Sequence, residues 1–271
     1  MSRIDKAIEL AARISASEQK LPEAETEKTV VAPAVSDVVT PLSVSNPLLV
    51  TINEPYGIVT EEYNKLRTLI LSLTNSEPRQ NTLLVTSAVP NEGKTLTAVN
   101  LALSMARSTD HTVLLIDADF RRPSIHTLFD IEEGPGFVQC LRDNLPFEQA
   151  LVKTGLGKLD ILPAGEQLDD PLELISSKNM QRIVKEIKER YSDRYVIFDS
   201  PPVLPFADAR VLAALMDGTI FVTREKHSRI NQVKEGLATL LDSHVLGVLC
   251  NDTSQAVGSN YGSYSNYGSY Y

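Results

Sequence analysis

The chain has 271 residues, 42% apolar and 23% charged, with a formal net charge of −9. That length suits one large domain or two small ones, and two cysteines exclude a disulfide framework or a Cys-rich metal site, so a reducing cytoplasm is the expected setting. No run approaches the ~18 apolar residues of a membrane span, no secretory signal opens the chain, and the acidic balance argues against generic nucleic-acid binding and against a polybasic membrane anchor.

Residues 2–14 read as a short helix. Ser2 caps it, Asp5 stands in the capping-box position, and Ile4, Ile8 and Ala11 recur at helical spacing. The segment is either a solvated N-terminal helix or a docking peptide. Residues 18–47 are rich in Glu, Thr, Val, Ser and Pro, and Pro22, Pro33, Pro41 and Pro47 break any periodicity, so residues 1–47 are expected to be a short helix and a flexible linker.

Globular patterning occupies residues 48–257. A helix is predicted over 58–73. Continuous apolar runs predict strands at 82–87, 112–117, 158–163, 195–199, 218–223 and 245–251. Helical stretches are predicted at 94–107, 178–190, 208–215 and 230–242. This alternation predicts an α/β fold, a mostly parallel sheet with helices on both faces. Residues 258–271 carry no charged and no aliphatic side chain, yet hold five of the nine tyrosines. Such a stretch does not bury enough surface to offset its ordering entropy, so a flexible tail is expected. By composition alone it also suits a low-complexity, aggregation-prone segment.

The strand at 82–87 runs into Ala88, Val89, Pro90, Asn91, Glu92, Gly93, Lys94 and Thr95, followed by Leu96 in the first turn of the helix predicted at 94–107. This is a P-loop pattern with Ala in place of the first Gly. Loop amides and the helix N-terminus suit phosphates, Lys94 suits the β- and γ-phosphates, and the Thr95 hydroxyl suits Mg²⁺. An ordinary strand-to-helix turn is the plainer alternative. Two further strands end in carboxylates: Asp117 and Asp119 with Arg121 after the strand at 112–117, and Asp199 after that at 195–199. In an open parallel sheet, ligands bind beyond the carboxyl ends of the strands, so the three motifs converge. Each Asp alone could equally cap the next helix; three together with a P-loop favour a magnesium nucleotide.

The P-loop, Leu-Leu-Ile-Asp-Ala-Asp-Phe-Arg-Arg-Pro at 114–123 and Val-Ile-Phe-Asp-Ser-Pro-Pro at 196–202 resemble the Walker A, A′ and B motifs of bacterial tyrosine kinases. These belong to the deviant P-loop class that also holds the Min and Par ATPases. The likeness runs from about Tyr56 to the C-terminus and includes Leu-Pro-Ala-Gly at 162–165 and Pro-Leu-Glu-Leu-Ile-Ser-Ser at 171–177. Partition ATPases usually carry a lysine early in the loop, where this chain has Ala88, Val89 and Pro90.

The resemblance implies ATP and Mg²⁺ as cofactors, with Lys94, Asp117, Asp119 and Asp199 catalytic. Asp117 helps hold Mg²⁺ and activates the incoming tyrosine hydroxyl, whose pKa of about 10 requires help at neutral pH. Asp119 supports the metal or its waters, Asp199 orients Mg²⁺ through water, and Lys94 with the loop amides stabilises the transferring phosphoryl group. Arg121 steadies Asp119 or phosphate, or forms a structural salt bridge. Asn251 is placed to read the base. Asp208 caps a helix or joins the site, and Arg224 approaches the nucleotide or forms a surface ion pair.

The resemblance makes Tyr261, Tyr264, Tyr267, Tyr270 and Tyr271 an autophosphorylation cluster. Each phosphate adds about −1.5 to −2 charges, so five add on the order of −8 to −10, enough to repel a neighbouring subunit. The family assembles rings through a Glu-x-x-Arg-x-x-Arg helix; here Glu61 and Arg67 match, and Asn64 replaces the middle arginine. A bidentate Arg contact has no equivalent in Asn. The expected partners are a separate transmembrane activator of a polysaccharide export system, which recruits the chain to the inner face of the plasma membrane, a second copy of the chain, and a phosphotyrosine phosphatase, with no nucleic acid. Two other readings remain: a Min/Par-type positioning ATPase, and a nucleotide sensor without transfer. The four histidines have no metal-ligand spacing, Tyr56 and Tyr63 read as packing residues, and Cys140 and Cys250 as buried small residues.

Overall fold

Strands with nearly continuous apolar runs must bury both faces, and in the computed structural model the four central strands of the sheet do so. It describes residues 41–75, 80–108, 111–190 and 194–253. The expected helix at 2–14, most of the linker and the tyrosine tail lie outside the described residues. The strands are β1 (Thr82–Ser87), β2 (Thr112–Asp117), β3 (Val152–Lys153), β4 (Leu159–Leu162), β5 (Arg194–Asp199), β6 (Gly218–Arg224) and β7 (Val245–Asn251). They form one sheet in the order β3-β4-β2-β5-β1-β6-β7. Neighbours are parallel except β3, which pairs antiparallel with β4.

The period of two along each strand separates two cores. Leu83, Val85, Val113, Leu115 and Ile197 face one side, while Leu84, Leu114, Ile116, Val196 and Phe198 face the other. Each such side chain contributes roughly 1.5–3 kcal/mol by leaving water. On the first side lies α3 (Lys94–Ala106), after two shorter-numbered helices, α1 (Val50–Asn53) and α2 (Ile58–Thr74). Ten of the 13 residues of α3 are buried, because the sheet covers one flank and α2 the other through Tyr63, Leu66 and Ile70. The buried Asn100 of α3 is satisfied on every side: it accepts from Thr51 and donates to the carbonyls of Leu48 and Leu96.

Connecting helices follow: α4 (Ile125–Leu128), α5 (Phe137–Arg142), α6 (Phe147–Ala150) and α7 (Leu172–Ile175). Then come α8 (Lys178–Arg190), α9 (Asp208–Leu215) and α10 (Ile230–Thr239). In α8, Met180, Ile183, Val184 and Ile187 make the helical stripe that buries against the second face.

The long elements match the sequence reading to within a few residues. The short α1 and α4–α7 and the two-residue β3 escape it, because four to six residues carry no readable period. The helix predicted to reach 242 stops at Thr239, where Ser243 N–H closes a turn on the Leu240 carbonyl. Tyr63 packs as expected, and Cys140 is buried, which pushes its thiol up to about 11. Two expectations fail. Tyr56 is 98% exposed, because the turn in which Gly57 N–H meets the Glu54 carbonyl carries it outward. Cys250 is exposed because it sits on β7, the edge strand.

Asp217, at the start of β6, ties the sheet's amino edge. Its Oδ2 accepts from the N–H groups of Asn81 and Thr82 and from the Thr82 hydroxyl, and its Oδ1 accepts from Lys188 at 2.6 Å. Burial pushes the carboxyl up, but the Lys188 and Thr82 bonds outweigh it and hold it below the usual range. A depressed pKa contributes stability above the unfolded value and loses it as pH falls through the folded one. Asp217→Asn is expected to cost about 2 kcal/mol at pH 7. Urea unfolding of both proteins at successive pH values checks this: the gap narrows below about pH 4, and a pH-independent gap contradicts the ionic role.

Candidate active site

The sheet order places β2, β5 and β1 side by side, so their carboxyl ends meet. In register, Asp199 pairs with Asp117 on one flank and Val85 on the other. Beyond these ends opens a cleft of about 1460 Å³, lined by Pro90, Asn91, Gly93, Lys94, Thr95 and Asp119, among others.

The loop from β1 to α3 is shaped for close approach. Gly93 has φ +91°, and a Cβ there would lie 1.9 Å from Asn251 Nδ2. Asn251 in turn donates to the Glu92 carbonyl at 3.1 Å. No side chain caps the N-terminus of α3, so its first amides and the positive end of its dipole face the cleft. Part of the expected cradle is built differently. Ala88 is wholly buried, and its carbonyl accepts from Leu204 N–H. Val89 N–H donates to Glu92 Oε2 at 2.9 Å, and the wholly buried Glu92 side chain folds under the loop. Leu96 lines the cleft beside Thr95.

Around Lys94 stand three carboxylates. Its ammonium lies 2.7 Å from Asp119 Oδ2 and 3.7 Å from Asp199 Oδ1. Thr95 Oγ1 donates to Asp199 Oδ2 at 2.6 Å. Asp117 is wholly buried; its Oδ2 accepts from Ser124 and Ile125 N–H at 3.0 Å each, and its Oδ1 from Asp119 N–H at 3.3 Å. Asp117 therefore anchors the start of α4 and the loop carrying Asp119, while Asp119 is the carboxylate that lines the cleft. Burial, then the neighbouring Asp199 charge, pushes the Asp117 carboxyl up, against the pull of the Ile125 and Ser124 amides. Burial also pushes Asp199 up, against Lys94 and Thr95. For Lys94, burial acts downward, but Asp199 and Asp119 outweigh it and hold the ammonium charged.

One ammonium among three carboxylates leaves formal negative charge, and Asp199 Oδ1 is buried without a hydrogen-bond partner. No group of three or more His, Cys, Asp or Glu among the described residues forms a protein metal cage. The set fits Mg²⁺, which takes one or two protein oxygens and completes its shell with water and phosphate.

Arg121 resolves to the salt-bridge alternative. It grips Asp208 with Nε to Oδ2 at 2.6 Å and Nη2 to Oδ1 at 3.3 Å, and its guanidinium lies 4.2 Å from the Phe206 ring centroid. Asp208 is no cap: Ala207 holds that position, and the buried carboxylate in the first turn of α9 serves Arg121. Sequence reading weighed the two separately, since 87 residues part them. Arg224 pairs with Asp252 at 2.7 Å, as the surface alternative had it. Glu61 is exposed, and Arg67 is half-buried against the fold. Asn64 donates to Glu61 and accepts from Ser104 Oγ, and Arg67 donates to the Ser104 carbonyl at 2.8 Å. The five tail tyrosines lie outside the described residues. Ser228, which reaches Glu92, was missed because nothing local marks it.

Residues 91–243 match the model of the AAA domain family. The chain is 36% identical over 219 residues to the tyrosine-protein kinase YwqD of Bacillus subtilis, covering 80% of this chain and 90% of that one. It is 31% identical to the tyrosine-protein kinase CpsD of Streptococcus agalactiae, over 77% of this chain and 90% of the relative. Among solved structures, the kinase domain of the Escherichia coli tyrosine kinase ETK superposes with a TM-score of 0.68 at 26% identity, over 79% of this chain and 84% of that one.

The close approach of Asn251 to Gly93 generates a test. Gly93→Ala is expected to weaken nucleotide binding about tenfold or more, through backbone strain and collision. Titration with a fluorescent nucleotide measures it, and circular dichroism checks the fold. Asn251→Ala in the same chain is expected to recover part of the loss; no recovery rules out the collision.

Proposed function

The chain belongs to the bacterial tyrosine kinase family, and on that premise we propose that its cleft transfers the γ-phosphoryl group of ATP to Tyr261, Tyr264, Tyr267, Tyr270 and Tyr271 of a neighbouring subunit's tail. The observation that carries this reading is Lys94 held among Asp117, Asp119 and Asp199 at an uncapped helix N-terminus. Without nucleotide, the carboxylates hold the lysine. With it, Lys94 exchanges Asp119 and Asp199 for phosphate oxygens, and the α3 amides bind the remaining charge. Thr95 and Asp199 would hold Mg²⁺, which would supply charge neutralisation on the phosphates.

The exchange frees Asp119 Oδ2, and we assign this atom to accept the proton of the tyrosine hydroxyl. Asp117, the sequence-based choice for that step, sits behind it with both oxygens occupied by backbone N–H groups. It positions the loop and adds negative charge beside the metal. Arg121, pinned by Asp208, keeps the same loop in place, and Asn251 stands beside the P-loop for the base.

The wider role we propose is control of polysaccharide polymerisation and export. No described helix is long and apolar enough to cross a membrane, so the reading includes a separate transmembrane activator that brings the chain to the membrane's inner face. It also includes self-association and a phosphatase that resets the tail. Glu61 stands exposed for such an assembly surface, and Arg67 would join it only by leaving the Ser104 carbonyl.

Two measurements test this. Purified protein with Mg-ATP and its activator, mapped by mass spectrometry, is expected to carry phosphate on residues 261–271, and Lys94→Ala is expected to lose it. Free phosphate release with an unmodified tail favours the Min/Par-type switch instead. Light scattering is expected to show larger oligomers before phosphorylation than after; equal mass in both states removes the repulsion argument.

A further inference from the structure

Glu92 is a buried carboxylate that the mechanism does not use. It is wholly inaccessible, and among the described residues no cation pairs with it. A buried charge is tolerated only with good hydrogen bonds. Glu92 has two, on different oxygens. Oε2 accepts Val89 N–H at 2.9 Å, and Oε1 accepts the Ser228 hydroxyl. Ser228 Oγ in turn accepts Arg224 N–H at 2.8 Å, so its proton is directed at Glu92. Ser228 lies in the turn between β6 and α10, where its own N–H meets the Arg224 carbonyl. From the same turn, the His227 ring lies 3.0 Å from the Pro90 carbonyl. The phosphate loop is therefore held from beneath by a segment more than 130 positions away in sequence.

We propose that Ser228 and Glu92 form a positioning pair that sets the P-loop in its phosphate-ready shape before nucleotide arrives. Ser228 orients the carboxylate, and the carboxylate takes the one loop amide, that of Val89, which would otherwise be free to turn the loop. Gly93 and the first amides of α3 are left presented to the cleft. Ser228 touches neither phosphate nor metal; it acts through Glu92. The inference rests on the reading that this loop binds the phosphates of ATP. Gln at position 92 would place an N–H₂ where an acceptor is required on one side, so the pair depends on the carboxylate itself.

The test uses the full chain with ADP, ATP and the activator. Ser228→Ala is expected to raise the Kd for a fluorescent ADP analogue and the KM for ATP about tenfold, the loss of one charge-assisted hydrogen bond. The kcat at saturating ATP is expected to stay within about twofold, and the nucleotide-free Tm to fall by a few degrees, since Glu92 Oε1 loses its partner. Ser228→Thr keeps the hydroxyl and is expected to restore affinity, and Glu92→Gln is expected to match Ser228→Ala. Unchanged affinity in Ser228→Ala, or no rescue by Ser228→Thr, overturns the proposal while leaving the kinase reading intact. A loss of affinity that appears only at temperatures where circular dichroism shows Ser228→Ala unfolding also overturns it, since the role is then merely structural. Wild-type protein that binds no nucleotide overturns both.

Discussion

One ammonium group stands among three carboxylates at the end of a buried sheet, and the surrounding structure answers to that arrangement. Charges are costly to bury, and the cost is met only by partners in good geometry. Lys94 contacts Asp119 and Asp199; Thr95 takes the other oxygen of Asp199; three backbone N–H groups take Asp117. The arrangement still carries an excess of negative charge and one buried oxygen without a hydrogen bond. A site of this kind persists because each charge keeps a partner, and its excess negative charge suits a cation.

The rest of the fold keeps these groups together. Strand order sets β2, β5 and β1 side by side, and register sets Asp117 opposite Asp199. The apolar strands fix the backbone beneath, with both faces buried, and close packing resists the small shifts that would separate the charges. Outside the cluster, two long-range pairs hold the loops. Arg121 and Asp208 secure the loop after β2, and Glu92 and Ser228 secure the loop after β1. Both pairs work through loops, where function concentrates but local structure is least self-sufficient.

The reading of particular residues shows where sequence pattern loses its hold. Long strands and helices carry a period, so β1, β2, β5, β7, α3 and α8 were legible. The two residues of β3 and the single-turn α1 and α4 carry none. The P-loop was legible because its chemistry demands a contiguous order of residues. Asp208 was read as a cap because a carboxylate at a helix start usually is one, and only the approach of Arg121 shows otherwise. Tyr56 was read as packing by its type, but a local turn sends it into solvent. Cys250 was read as buried by its type, but strand order leaves it on the edge strand.

By itself the sequence determined the class of fold, the family, the phosphate loop and the three strand-end carboxylates, because each is written in consecutive residues with a period or a fixed spacing. Tertiary structure alone decided which carboxylate faces the cleft, which partner each buried charge takes, and which loop amide is given up to Glu92. Those choices join residues 25, 87, 104 and 136 positions apart. Hydrogen bonds and ion pairs act over about 3 Å, so distance in space decides them and distance along the chain does not record them.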